Sequence, residues 1–330
     1  EISCSLVGSE MCIRDRSDKI KEAMSRIKNL RKYPDPAATK LVEAIASYHG
    51  FDKEEVFVGV GSDDVLAVAF MTFFNGKKPI FFPDITYSFY PVWAELFGIP
   101  YEKKAVNDAF EIQKEDYYAE NGGVVFPNPN APTGAFLSLE VVEDIIQHNQ
   151  DVVVIVDEAY IDFGGDTAKE LTRKYDNVLV VQTYSKSRSL AGLRIGYAIG
   201  NKELIKAMND VKYSYNSYTM NEPSIVLGTA VLEDEEYFQE TRNKIIDTRE
   251  WFQIEMRNIG FSFADSKANF IFATHESVPA KEIFEAAKKA KIYVRYFDQP
   301  RINNYLRITI GTREEMEILL DFLKEFTATK

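Results

Sequence analysis

Lys186 is the residue in this sequence best placed for covalent chemistry. It stands in Thr183-Tyr184-Ser185-Lys186, directly after the β-rich run Val178 to Gln182, and Ala191-Gly192-Leu193-Arg194-Ile195-Gly196-Tyr197 follows it. The strand this run predicts ends at Thr183, so Lys186 projects from a loop at the strand's carboxyl end, the edge where open α/β sheets bind ligands. A lysine held there among cations or apolar walls can lose its proton and form an imine with an aldehyde. Ser185 and Arg194 add a hydroxyl and a guanidinium, groups suited to a phosphate tail. Alone, such a lysine is usually a solvated charge, so its companions decide.

The first companion is Asp157, in Val154-Ile155-Val156-Asp157-Glu158-Ala159-Tyr160. A carboxylate that closes an apolar strand is costly without a partner. A ring nitrogen that stays protonated, as in pyridoxal phosphate, is such a partner; a helix N-cap or a magnesium ligand are the plain alternatives. In Phe126-Pro127-Asn128-Pro129-Asn130-Ala131-Pro132-Thr133-Gly134 the prolines and glycine stiffen a loop that can aim the Asn130 amide at a fixed point, or form an ordinary turn. Gly59-Val60-Gly61-Ser62-Asp63-Asp64 runs from a strand through glycine into a helix, whose first N–H groups make a phosphate cradle. It nearly matches the dinucleotide pattern G-x-G-x-x-G, but Asp64 stands in place of the third glycine, which favours a monophosphate. In Pro83-Asp84-Ile85-Thr86-Tyr87-Ser88-Phe89-Tyr90, Tyr87 can stack on a flat heteroaromatic ring or belong to the core. Arg307, inside the alternating run Tyr305-Leu306-Arg307-Ile308-Thr309-Ile310-Gly311, meets either a substrate anion or a structural carboxylate.

These residues need a sheet to carry them. Strands are expected at Val56 to Val60, Pro79 to Phe82, Tyr101 to Lys104, Gly123 to Phe126, Val152 to Val156, Val178 to Gln182 and Ile195 to Ile199. Helical patterns separate them at Asp63 to Phe73, Ser88 to Phe97, Leu139 to Gln147 and Lys202 to Lys212. Runs such as Val152 to Val156, apolar on both faces, require a sheet covered on both sides, and the regular alternation predicts a doubly wound, mainly parallel α/β sheet. Helices are also expected over Asp18 to Leu30 and Ala38 to His49, with Tyr33-Pro34-Asp35-Pro36 breaking the pattern between them. The C-terminal part changes character. One long helix from about Pro223 to Ile259 leads into strands at Phe270 to Ala273, Tyr293 to Tyr296 and Tyr305 to Ile310 and two further helices, a smaller α+β unit. The expected organisation is an N-terminal helix over 17–32, a large domain over 33–215 and a small domain over 216–330.

Composition narrows the chemistry. A net charge of −12 repels nucleic-acid phosphate and anionic membranes, and no basic patch offsets it. The longest apolar runs fall far short of the roughly 20 residues that span a bilayer. The chain therefore reads as soluble and cytoplasmic, without nucleic-acid or membrane partners. Both cysteines, Cys4 and Cys12, lie in the first sixteen residues, which argues against a disulfide framework, a thiolate nucleophile or a cysteine metal site. The histidines His49, His148 and His275 show no ligand spacing and are expected at a surface or interface; no metal is expected. The segment Glu1 to Arg16 lacks the plan of a signal peptide. It closely resembles a translated sequencing-adapter string, is expected not to be native, and is set aside from the fold.

In this order, the motifs resemble those of fold type I aminotransferases, and specifically the histidinol-phosphate aminotransferase family. NPNAPTG, VVVIVDEAYIDF, TYSKSRSLAGLRIGY and LRITIGTREE carry the resemblance to the superfamily; DEAYIDF, LRITIGTREE and YPDP point to that branch, from Asp18 to the C terminus. It implies a pyridoxal 5'-phosphate-dependent transferase with a mainly parallel seven-stranded sheet in the large domain. The enzyme would exchange amino groups between L-histidinol phosphate/imidazole-acetol phosphate and glutamate/2-oxoglutarate in histidine biosynthesis. By the same resemblance Lys186 would hold the cofactor as a Schiff base and shuttle the proton at the substrate Cα. Asp157 would pair with the pyridine nitrogen, Asn130 and Tyr160 would reach the ring oxygen, and Tyr87 would stack on the ring. Ser62, Asp63, Ser185 and Arg194 match the phosphate cup. Tyr33 matches a tyrosine that reaches the cofactor phosphate of a partner subunit, implying a homodimer with a shared active site. Arg307 and Arg295 would bind the substrate phosphate or the carboxylate of glutamate. The chain departs from the family by lacking the N-terminal segment of the form L-x-x-N-E-N-P-x-G-P, and by carrying Arg188 where a phenylalanine is usual, a change expected to be tolerated on a loop. An aromatic amino-acid aminotransferase or a threonine-phosphate decarboxylase would share nearly every motif. A NAD-dependent dehydrogenase would leave Lys186, Asp157 and Asn130 without a role.

Overall fold

A computed structural model describes residues 18–27 and 30–330. The adapter-like segment and both cysteines lie outside the described residues. Seven strands form the main sheet: β1 (Val56–Val60), β2 (Ile80–Pro83), β3 (Tyr101–Lys104), β4 (Val124–Pro127), β5 (Val154–Asp157), β6 (Val178–Thr183) and β7 (Ile195–Gly200). Their order is β1-β7-β6-β5-β4-β2-β3. Only β7 runs antiparallel to its neighbours; the others pair in parallel. All seven expected strands are present, with ends displaced by two residues at most. Successive side chains of β5 enter opposite cores. Ile155 joins Leu179 and Val181 on one face, while Val154 and Val156 join Val178 and Val180 on the other. That two-residue alternation between two dry layers is why the strand shows no polar face in sequence.

Helices α1 (Asp18–Ser25), α2 (Thr39–His49), α3 (Ser62–Phe73), α4 (Phe89–Phe97), α5 (Leu139–Gln147) and α6 (Lys202–Tyr215) accompany this sheet. The first ends at Ser25 rather than at residue 30. The long helix expected from 223 to 259 is two helices, α7 (Glu222–Leu232) and α8 (Glu235–Asn258). Asn221 caps α7 through its side-chain oxygen, which accepts from the Ser224 N–H at 2.8 Å. Apolar on nearly every side, α7 packs with Leu41 of α2 and Ile195 of β7, whereas α8 carries one buried stripe including Phe238, Ile245 and Phe252. Two helices with such different surroundings require different axes, and the break at Glu233 and Asp234 supplies the turn.

The second sheet has the order β10-β11-β9-β8, with β8 (Phe261–Ser262), β9 (Phe270–His275), β10 (Arg295–Tyr296) and β11 (Leu306–Thr309), all antiparallel. Helices α9 (Ala280–Lys289) and α10 (Arg313–Ala328) pack with α8 around it. The two residues of β8 are too few for an alternating pattern, so sequence reading missed them. The surface expectation for His275 fails here. His275 is buried: its Nδ1 accepts from Val278 N–H (3.1 Å), and Nε2 lies 2.9 Å from the Ile259 carbonyl. Arg188 is buried as well, its guanidinium 4.0 Å from the Phe238 ring and 4.7 Å from that of Tyr48. Among the described residues no helix is long and apolar enough to cross a membrane.

Candidate active site

Parallel pairing of β5 with β6 brings their carboxyl ends together, Asp157 closing one strand and Thr183 the other. Asp157 is 5% exposed. Its Oδ2 accepts the Tyr90 hydroxyl at 2.8 Å and its Oδ1 the Ala159 N–H at 3.2 Å. Burial pushes this carboxyl up to about 6, against the pull of those two bonds and of the Lys186 charge. Lys186, half-buried on the loop after β6, sets its Nζ 5.5 Å from the centre of the Tyr160 ring. Asp157 and Lys186 are thus within electrostatic reach of each other, the carboxyl desolvated.

The glycine-rich turn before α3 builds the second part. Gly61 has φ 86°, and a Cβ there would lie 2.6 Å from the Arg194 guanidinium. A Cβ on Gly196 would lie 2.3 Å from the Ser62 nitrogen. These absent side chains let the start of α3, the β7 backbone and Arg194 converge, which aims the free N–H groups of a twelve-residue helix and one cation at the same place. Arg194, itself at φ 51°, donates to Asp63 Oδ2 at 3.1 Å, and the Tyr87 hydroxyl donates to Asp63 Oδ1 at 2.8 Å. Ser185, buried and next to Lys186 in sequence, shares a 3.1 Å bond with Thr183. Asp64 serves the turn itself, its Oδ2 accepting the Val60 N–H at 2.8 Å.

Asn130 is 3% exposed, and its amide is already committed. Nδ2 donates to the Ile85 carbonyl (2.9 Å) and to Thr133 Oγ1 (3.0 Å), while Oδ1 accepts from Thr86 (3.2 Å). One of these donors has to be released before Asn130 can serve a ligand oxygen, and the rotatable Thr133 hydroxyl is the partner that yields. Tyr160 packs edge-on against Phe270 at 5.1 Å, and Arg307 lies over the same Phe270 ring, 5.2 Å from its centre. Burial lowers the Arg307 pKa, and its Nε has no partner among the described residues. In the β10–β11 ladder Arg307 stands directly opposite Arg295. Like charges opposed across a ladder repel, so this pair is suited to an anion between them.

Contacts tie the parts into one cluster: the charges of Asp63 and Lys186 bear on Asp157, Tyr87 is bonded to Asp63, and Tyr160 and Arg307 both lie against the Phe270 ring. Tyr33 is the expected residue whose contact lies elsewhere. It is 81% exposed and its ring packs on Tyr218 at 4.7 Å. Sequence reading missed Tyr90 as a site residue, although its place one helical turn after Tyr87 is a usable signal. It also missed a buried polar chain behind Asp157. Glu158, pushed by burial to about 7, accepts from Gln182 Nε2 (2.7 Å); Gln182 Oε1 accepts the Tyr197 hydroxyl (2.5 Å), which meets His49 Nε2 at 2.8 Å. The cluster can hold a flat cationic ring at Asp157, a phosphate at α3 and a second anion at the arginine pair.

The family "Aminotransferase class I and II" matches residues 9–323. The chain is 50% identical over 301 residues to the histidinol-phosphate aminotransferase of Lactococcus lactis subsp. lactis (strain IL1403), covering 91% of this chain and 84% of that protein. The crystal structure of the histidinol-phosphate aminotransferase from Clostridium acetobutylicum superposes with a TM-score of 0.90 at 21% identity, over 98% of this chain and 99% of that one. That from Sinorhizobium meliloti, in complex with pyridoxal-5'-phosphate, gives 0.87 at 21% identity over 98% and 90% of the two chains.

Proposed function

Because the chain belongs to the class I and II aminotransferases, we propose that it transfers the amino group of L-histidinol phosphate to 2-oxoglutarate, giving imidazole-acetol phosphate and glutamate, in a ping-pong exchange. The observation that carries the reading is Asp157, a desolvated carboxyl fixed by Tyr90 and set beside Lys186. Such a group is costly to bury unless a lasting cation meets it, and a protonated pyridine nitrogen fits that need. When bound, pyridoxal 5'-phosphate supplies an aldehyde able to condense with amines and a ring that accepts electron density from the substrate Cα.

The chain's own residues do the rest. Asp157 would hold the ring nitrogen protonated. Lys186 Nζ would offer the amine that holds the aldehyde and would carry the proton at Cα. Arg194, Ser185 and the N–H groups of Ser62 and Asp63 would hold the cofactor phosphate. Tyr87 would cover the ring, and Asn130 and Tyr160 would serve its oxygen. Arg307 and Arg295 take the phosphate of the amine in one half-reaction and the distal carboxylate of glutamate in the other, which relieves their mutual repulsion.

The enzyme would work as a cytoplasmic homodimer. Phe89, Val92 and Leu96 lie exposed along one side of α4, and the exposed Tyr33 is available to a second subunit's cofactor phosphate. The test is an absorbance spectrum of protein with pyridoxal phosphate, before and after each candidate amine. A visible band discharged by L-histidinol phosphate, but not by phenylalanine or threonine phosphate, is the expected result. A band discharged only by phenylalanine, or decarboxylation of threonine phosphate, would replace the substrate; no band at all would overturn the reading.

A further inference from the structure

The segment between β10 and β11 joins Arg295 to Arg307, so whatever fixes it also fixes the opposed arginines. It is held against the large sheet by two kinds of contact. Ile302, 2% exposed, enters the same core as Phe81 of β2, Val106 and Phe110. Tyr305 stacks on Phe272 at 4.7 Å and meets Phe110 edge-on at 5.1 Å. Beside this apolar seat lies Arg301. Its Nη1 donates to Asp84 Oδ2 at 2.8 Å, and its Nη2 donates to the carbonyls of Val106 (2.6 Å) and Asn107 (3.1 Å). Asp84 is itself fixed, its Oδ1 accepting the Val106 N–H at 3.0 Å.

Asp84 directly follows β2 and precedes the residues that shape the cofactor end of the site. Ile85 and Thr86 hold the Asn130 amide, and Tyr87 is bonded to Asp63. Arg301 thus ties the hairpin that carries both anion-binding arginines to the turn that carries the ring-covering tyrosine. It adopts φ 69°, a conformation that a side-chain-bearing residue rarely takes and that persists only where surrounding contacts enforce it. A side chain serving solubility alone has no reason to be so held.

We propose that Arg301 is a positioning residue: through Asp84 and the Val106 and Asn107 carbonyls it sets where Arg295 and Arg307 stand relative to the cofactor, and so sets affinity for the anionic end of the substrate without touching it. This rests on the assignment of Arg295 and Arg307 as the substrate-anion site. Geometry errors of an ångström at a binding group are expensive, and the forked guanidinium cannot be replaced by a point charge.

The test compares wild-type holoenzyme with Arg301→Ala, Arg301→Lys and the exchanged pair Asp84→Arg/Arg301→Asp. Binding of L-histidinol phosphate and of glutamate is followed by the discharge of the visible cofactor band, alongside kcat, cofactor affinity and thermal unfolding. Arg301→Ala should raise KM for both substrates by roughly tenfold, the size of one coupled contact, with kcat and cofactor affinity changed less than about threefold. Arg301→Lys should recover part of the loss, and the exchanged pair should bind more tightly than Asp84→Arg or Arg301→Asp made alone. A lowered unfolding temperature with KM unchanged would make Arg301 structural only and overturn the proposal, as would equal losses in kcat and in cofactor affinity. Wild-type protein that responds to glutamate but ignores histidinol phosphate would defeat the substrate assignment, leaving the positioning role to be decided by the glutamate KM. Wild-type protein that responds to neither overturns both.

Discussion

Replacing Asp157 with asparagine should stabilise the cofactor-free protein at pH 8 while destroying its activity. The carboxyl is held at about 6 instead of its ordinary 3.8. Between those values the folded state binds more protons than the unfolded one, so this group's contribution to stability falls as pH rises through the window. The cost is absent below 3.8 and fully in force above about 6. At 1.36 kcal/mol for each pH unit of displacement, ionised Asp157 costs about 3 kcal/mol at pH 8 and roughly half of that at pH 5. Urea unfolding of both cofactor-free proteins at the two pH values measures it. The stability advantage of Asp157→Asn over wild type should shrink by roughly half on going from pH 8 to pH 5. Glu158, held at about 7, titrates in the same range but is present in both proteins and cancels in the difference. Any change in the bonds from Tyr90 and Ala159 that does not vary with pH is also removed by comparing the two pH values. An advantage equal at both would refute the account of Asp157 as a desolvated carboxylate awaiting a cation. With pyridoxal phosphate bound, the order should reverse, the wild type gaining more from the cofactor than the variant.

Lys186→Ala should lower kcat by at least about a thousandfold, as expected for loss of the nucleophile and the proton carrier together, while retaining noncovalent cofactor that dialysis removes; normal turnover would end the mechanism. Arg307→Met should raise KM for both substrates by about two orders of magnitude, the scale of a desolvated charge contact. Its thermal stability should not fall, because the Arg307 Nε is buried without a partner; a large loss of stability with KM intact would mark a structural arginine. Gly196→Ala should cost about 1–3 kcal/mol by overpacking and weaken cofactor binding, since the new methyl would sit 2.3 Å from the Gly61 carbonyl carbon and the Ser62 nitrogen; unchanged cofactor affinity would disprove the close approach at the phosphate cup.

Much of this was legible in the chain. Runs such as Val154 to Asp157 and Val178 to Thr183 show a composition that only a doubly covered strand satisfies, and the chemistry-bearing residues follow these runs directly in sequence. The glycine turn before α3 was legible as a phosphate cradle, while the close approach of Gly196 to Gly61 and Ser62 was not. Where the reading erred, the deciding fact was surroundings. The 223–259 stretch is helical at nearly every residue, and only the differing environments of α7 and α8 demand the break. Arg188 is expected only to be tolerated on a loop; that aromatic rings from α2 and α8 close over it is decided by packing.

The sequence by itself determined the strands and helices, the turn glycines and the set of groups available for chemistry, because periodicity and local conformational preference act over a few residues. Tertiary structure decided which groups meet. Tyr90 reaches Asp157 across 67 positions, and Arg301 reaches Asp84 across 217. Arg295 opposes Arg307 because of a ladder register that the sequence pattern does not print. Such pairings depend on strand order and on how the second sheet seats against the first, and those are set by the burial of whole surfaces rather than by any neighbouring residue.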